Sequence, residues 1–85
     1  MKTIVIVKHT DGRRCMFEVP GDYMLTKGDT VLCETKRGEV TATCVTDTLK
    51  CCPETLDAFA ELMGATFPLK KILGKYKFVK FEEEN

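Results

Sequence analysis

Short β-branched runs separated by turn residues fill the first half of the chain, and a helical period replaces them in the second. Lys2–Lys8 (KTIVIVK) and Arg14–Val19 (RCMFEV) flank HTDGR and predict two strands joined by a hairpin. Asp11-Gly12 predicts a two-residue type I′ turn, which needs positive φ at both central positions. That turn sets Thr10 opposite Arg13, Ile6 opposite Phe17 and Ile4 opposite Val19. Ile4, Ile6, Cys15, Phe17 and Val19 then share one face.

Pro20-Gly21-Asp22 and Lys27-Gly28-Asp29 punctuate the next stretch. Thr30–Thr35 (TVLCET) and Glu39–Thr46 (EVTATCVT) predict a second hairpin around Arg37-Gly38, with Thr35 opposite Val40. Val31, Cys33, Val40, Ala42 and Cys44 fall on one face. Glu34, Thr41 and Thr43 fall on the other, with Leu32 and Val45 as exceptions, the alternation of a half-buried antiparallel pair.

Pro53 then opens a helix, because its missing N–H is harmless at the first position. Leu56, Phe59, Ala60, Leu62 and Met63 form its expected core stripe, and Gly64 stops it. Pro68–Leu73 reads as one further short turn. Tyr76–Phe81 (YKFVKF) reads as a fifth strand, and Glu82–Asn85 as a frayed acidic tail. The expected order is β-β-β-β-α-β in one domain, residues 1–85. Its class is α+β, mainly β: a small five-stranded antiparallel SH3-like or OB-like barrel with one helix before the last strand. The alternative is a sandwich whose helix covers one face of the sheet.

Composition narrows the function. A chain of 85 residues buries only about 60–65% of its unfolded surface, which leaves little room for a deep enzyme cleft. Thirteen basic and thirteen acidic residues cancel, so bulk charge does not point to a dedicated nucleic-acid or membrane binder. The opening MKTIVIVKH is too short for a signal-peptide core or a membrane span, and a cytoplasmic location is expected. Five cysteines, an odd number without a CxxC pair, predict reduced thiols rather than a disulfide framework.

Those thiols are the first candidates for chemistry. Cys52 sits at the predicted helix N-terminus, where amide dipoles stabilise a thiolate. A nucleophile needs a base, however, and His9 is the one histidine. Glu54 and Asp57 also place negative charge nearby, which opposes ionisation. Cys44, Cys51, Cys52 and His9 supply enough donors for zinc by count but lack the spaced pairs of such sites. Packing is the simpler account of all of them, and His9 reads as an exposed hairpin-end residue. The glycines match no GxxxxGK[ST] or GxGxxG loop, and turn chemistry explains them. No catalytic residue, metal site or cofactor is expected.

A binding segment is expected instead at the C-terminal end. Lys70, Lys71, Lys75, Lys77 and Lys80 occur without an acid among them, and Tyr76, Phe78 and Phe81 interleave. Lysines grip phosphates and aromatic rings stack on bases. An edge strand protected by lysines has the same pattern. Lys70, Lys71, Lys75, Tyr76, Lys77, Phe78 and Lys80 are therefore the candidate binding residues. The expected function is a non-enzymatic interaction module that takes a protein partner, or a second copy of itself through Lys75–Phe81. The alternative is a barrel that binds single-stranded RNA or DNA. Convergence of Lys70–Lys80 with Arg13, Arg14, Lys36 and Arg37 on one face favours nucleic acid, and dispersal favours a protein partner or mere solubility.

The turns of the first half carry a resemblance. Pro20-Gly21-Asp22, Lys27-Gly28-Asp29-Thr30-Val31 and Glu34-Thr35-Lys36-Arg37-Gly38-Glu39 resemble the opening of the polymerase-suppressor-like C-terminal domain family of bacteria. The likeness runs from Lys2 to Val40, and Thr41-Ala42-Thr43 stands where that family has a glycine. It implies a regulatory, non-enzymatic module acting through partners, and brings no catalytic residue with it.

Overall fold

The structure, a computed structural model, describes residues 1–21 and 23–75 and the backbone of 79–80. Its elements are β1 (Lys2–Lys8), β2 (Arg14–Glu18), β3 (Thr30–Thr35), β4 (Gly38–Cys44), β5 (Leu49–Cys51), α1 (Pro53–Met63), β6 (Ile72–Lys75) and β7 (Val79–Lys80). The protein is mainly β, with one helix and an antiparallel sheet ordered β2-β1-β4-β3-β6-β7. β1 is the hub. It pairs with β2 along one edge, and with β4 and then β5 along the other.

The first hairpin departs from the expected register by one residue. Val5 faces Phe17 and Val7 faces Cys15, while Ile4 faces Glu18 and Ile6 faces Met16. The cause lies in the turn. Gly12 N–H donates to the His9 carbonyl at 2.9 Å, and His9 N–H donates to the Arg13 carbonyl at 2.8 Å. This is a three-residue loop with Gly12 at φ 91°, a type I turn closed by a glycine bulge. The Asp11 carboxylate favours it by accepting from the Arg13 amide at 3.0 Å and from Arg13 Nε at 2.7 Å.

The consequence is a strand pair buried on both faces. Val5, Val7, Phe17 and Val19 enter an inner core with Leu25, Val31, Cys33, Ala42, Cys44 and Ile72. Ile4 and Met16 enter an outer core with Cys51, Leu56, Ala60 and Leu69. Each large apolar side chain buried this way contributes about 1.5–3 kcal/mol. A single core face of Ile4, Ile6, Cys15, Phe17 and Val19 does not form.

The second hairpin keeps its expected face and shifts by two residues. Thr35 faces Gly38, Cys33 faces Val40 and Val31 faces Ala42. A shift of two preserves which side chains point inward. β4 ends at Cys44 rather than Thr46, because the chain crosses there to β5: Val45 N–H donates to the Ile6 carbonyl and Ile6 N–H to Thr46 Oγ1. The β5 strand that follows is only three residues long and carries no period of its own.

Helix α1 begins as expected. Cys52 is its N-cap in extended geometry, Pro53 opens it, and Gly64 closes it in the left-handed region at φ 65°. The Ala65 amide reaches back to the Ala60 carbonyl at 2.8 Å, the six-to-one bond of a Schellman motif. The helix covers the outer face of the sheet. Leu56 and Ala60 are buried, and Phe59 and Met63 are partly so. Leu62 is 82% exposed and does not join the stripe. At about 100° per residue it lies about 140° away from the Leu56–Ala60 line.

Two strands follow the helix, not one. Ile72 and Leu73, expected in a turn, begin β6, which pairs with β3. Gly74 and Ile72 face the consecutive residues Leu32 and Cys33, so Leu73 is the extra residue of a bulge. β7 pairs antiparallel with β6, Gly74 facing Lys80 and Lys75 facing Val79. Of the expected strand over Tyr76–Phe81, Val79–Lys80 is strand β7; Tyr76, Lys77, Phe78 and Phe81 lie outside the described residues, as does the tail. Among the described residues no ladder joins β2 to the far end of the sheet. One isolated parallel bridge, Glu18 to Lys71, stands there.

Candidate interaction groove

The gap in the sheet is a groove of about 610 Å³. One wall is β2, with Cys15, Met16 and Phe17. The opposite wall is the end of β3 and the start of β4, with Glu34, Thr35, Val40 and Thr41. The helix C-terminus supplies Met63–Thr66, and the two hairpin tips form the mouth, with His9–Asp11 and Arg13 on one side and Lys36-Arg37 on the other. At its inner end Leu69 and Lys70 line it, and the Lys70-Lys71 backbone ties the walls together. Glu18 N–H donates to the Lys70 carbonyl at 2.9 Å, and Glu34 N–H to the Lys71 carbonyl at 3.2 Å.

Four cations from three separate places line this groove: Arg13, Lys36, Arg37 and Lys70. Arg13 is engaged with Asp11, whose carboxyl is held below its ordinary pKa by the Arg13 amide first and the guanidinium next. Lys36, Arg37 and Lys70 are exposed and form no ion pair among the described residues. Asp11 and Glu34 supply the negative charge in the lining. The floor is apolar: Cys15 and Val40 pack partly buried on the inner core, and Met63 and Ala65 on the outer one. Phe17 is 4% exposed, and His9 packs edge-on against it with ring centroids 6.0 Å apart.

The structure divides the lysine segment expected to bind. Lys70 lines the groove. Lys71 is exposed and does not line it. Lys75, at the far end of β6, pairs with Asp29 at 3.4 Å. Tyr76, Lys77 and Phe78 are outside the described residues, as is the Lys80 side chain. Of the basic residues at the hairpin tips, Arg13, Lys36 and Arg37 reach the groove and Arg14 does not line it. Spacing along the chain could not reveal this cluster. Its members come together only through the two loops and the Lys70 crossing.

The cysteines occupy distinct settings. Cys33 and Cys44 lie in the inner core, and burial pushes their thiols up to about 12 and about 11. Cys51 is buried in the outer core and is raised for the same reason, with Cys52 adding to it. Cys52 differs. Its sulfur lies 3.2 Å from Thr55 Oγ1, and its thiol is held below the ordinary value by that hydroxyl first and the Thr55 amide next. His9 does not serve it as a base. Cys51 pairs opposite Lys2, and His9 follows the other end of β1, about 20 Å away along the strand. No group of three or more His, Cys, Asp or Glu side chains suited to a metal ion occurs among the described residues. None of the described helices is long and apolar enough to cross a membrane. No family model, curated protein or solved structure matches the chain.

Proposed function

We propose that the protein is a non-enzymatic interaction module, a barrel-like sheet of the SH3-like or OB-like kind left open at one seam, and that it binds a protein partner in the groove between β2 and the β3–β4 hairpin. The observation that carries this reading is the lining itself. An apolar floor of Cys15, Val40, Met63 and Ala65 lies beneath a rim of Lys36, Arg37 and Lys70, the mixture of anchor and polar border that protein interfaces use. The turn motifs that resemble a regulatory family acting through partners point the same way.

The test is site-specific photo-crosslinking in cells. A photoreactive residue at Thr66, an exposed position on the groove lip, should capture a defined protein that the same residue at Ala58, on the exposed helix surface, does not. Capture should disappear when Lys36 and Arg37 are both reversed to Glu. Equal capture from both positions would sink the proposal.

Nucleic acid is the second reading, favoured by the four converging cations. Asp11 and Glu34 in the lining oppose phosphates, and the Phe17 ring is too buried to stack on a base. Salt-sensitive binding of a single-stranded oligonucleotide, lost on Lys70→Glu, would promote this reading over the first.

A further inference from the structure

The outer edge of β2 lies along the groove, and its backbone can be accounted for group by group. Val19 N–H donates to the Thr3 carbonyl and His9 N–H to the Arg13 carbonyl. In an antiparallel ladder, bonded pairs recur at every second residue, so Phe17 and Cys15 bond to Val5 and Val7 of β1. Arg14, Met16 and Glu18 therefore aim their N–H and C=O groups away from β1. Glu18 confirms the direction, since its N–H goes to the Lys70 carbonyl at 2.9 Å. Arg14 and Met16 have no backbone partner on that side among the described residues. A strand edge with free groups is a template for another strand.

We infer that the groove receives an extended, acidic segment of a partner polypeptide, which adds to β2 as a further strand. This deepens the reading proposed above and rests on it. Successive side chains of such a strand point to opposite sides. One set meets the apolar floor on the inner-core side, Cys15 and Val40. The other meets the rim of Lys36, Arg37 and Lys70, which form no ion pair among the described residues; with Asp11 held by Arg13, these three cations outnumber Glu34 in the lining and favour carboxylates. Main-chain bonds supply affinity in this mode and alternate side chains supply selectivity. The Lys70-Lys71 crossing limits the length, because it already occupies the Glu18 end of the edge.

The probe is an eight-residue peptide of alternating Val and Glu, titrated into the intact protein and followed by amide NMR and hydrogen exchange. Binding should slow exchange at the Arg14 and Met16 amides and leave Cys15 and Phe17, already bonded to β1, unchanged. The double variant Lys36→Glu/Arg37→Glu, confirmed as folded by its unperturbed core resonances, should bind about tenfold more weakly. N-methylation of alternate peptide amides should abolish binding in one parity and spare the other. Absence of binding at low salt overturns the inference. So does equal binding of both methylated peptides, or equal binding of a Val-Lys peptide. A single-stranded oligonucleotide that binds the groove where this peptide does not also overturns it. Photo-capture of a partner at Thr66 without any response of the β2 edge refutes the added strand alone. Loss of both refutes the module reading as well.

Discussion

The two hairpins are built from similar lengths of chain and are buried in different ways. β1–β2 is sealed on both faces, by the inner core on one side and the helix layer on the other. β3–β4 turns Val31, Cys33, Ala42 and Cys44 inward and leaves Glu34 and Thr43 exposed on the other side, where Leu32 is the buried exception. A one-sided strand records its orientation in its alternation. A two-sided strand is apolar in both parities, so alternation cannot fix its register and the turn must. The same difference locates the groove. It opens where the doubly covered β2 reaches the edge of the sheet and the singly covered β3 runs past the start of β6.

The sharpest break of this comparison comes from truncating core residues. Phe17→Ala removes an inner-core ring and should cost about 3–5 kcal/mol, and Ile4→Ala on the opposite face about 2–5 kcal/mol. Thr43→Ala, on the open face of β4, should change stability by no more than about 0.5 kcal/mol. Urea denaturation of the three variants tests this. An Ile4 effect as small as that of Thr43 would mean that the helix layer is not a core.

Alkaline pH separates the hairpins next. Cys33 and Cys44 belong to β3–β4 and hold their thiol protons more tightly when folded, with values of about 12 and about 11 against an ordinary 9.0. Their contribution to stability is complete below the unfolded value and is lost as pH climbs from there through the folded ones. Thermal melts should therefore decline above about pH 9, and Cys33→Ala should flatten the decline. In alkylation followed by mass spectrometry, Cys52 should react first, and Cys33 and Cys44 last.

Smaller effects sharpen the boundaries. Gly12→Ala meets no atom within 4 Å but must adopt φ 91°, so it should cost about 1 kcal/mol through the backbone alone. A larger loss would show that the β1–β2 register depends on that bulge more than on its two cores. Leu62→Lys, on the exposed flank of the helix, should leave the unfolding free energy within about 0.5 kcal/mol of the parent in urea denaturation.

The fold was legible wherever one local signal acted alone. Pro53 and Gly64 bounded the helix, and the Val31/Cys33 against Ala42/Cys44 alternation gave the inward face of β3–β4. Conflict between two signals hid the rest. Asp11-Gly12 has the composition of a two-residue turn, yet the Asp11–Arg13 bonds favour three residues. Leu49–Cys51 is too short to show a period, and its strand character comes from pairing with β1. Leu62 is apolar but off the stripe. At the candidate site, Lys70 is the one residue of the expected segment that lines the groove among the described residues, and Lys75 is carried to the other end of β6. The basic tips at Arg13 and Lys36-Arg37 were visible as residues but not as neighbours, since their meeting is a property of topology.

The Lys70-Lys71 crossing bears on how the chain comes together during synthesis. Each hairpin can zip from contacts close in sequence as soon as it emerges. The tie between Glu18 and Glu34, and the Ile72 side chain that completes the inner core, arrive only after the helix has been made. A chain that stops short of Ile72 therefore lacks the side chain that completes the inner core, and the segment from Lys70 to Ile72 acts as the clasp.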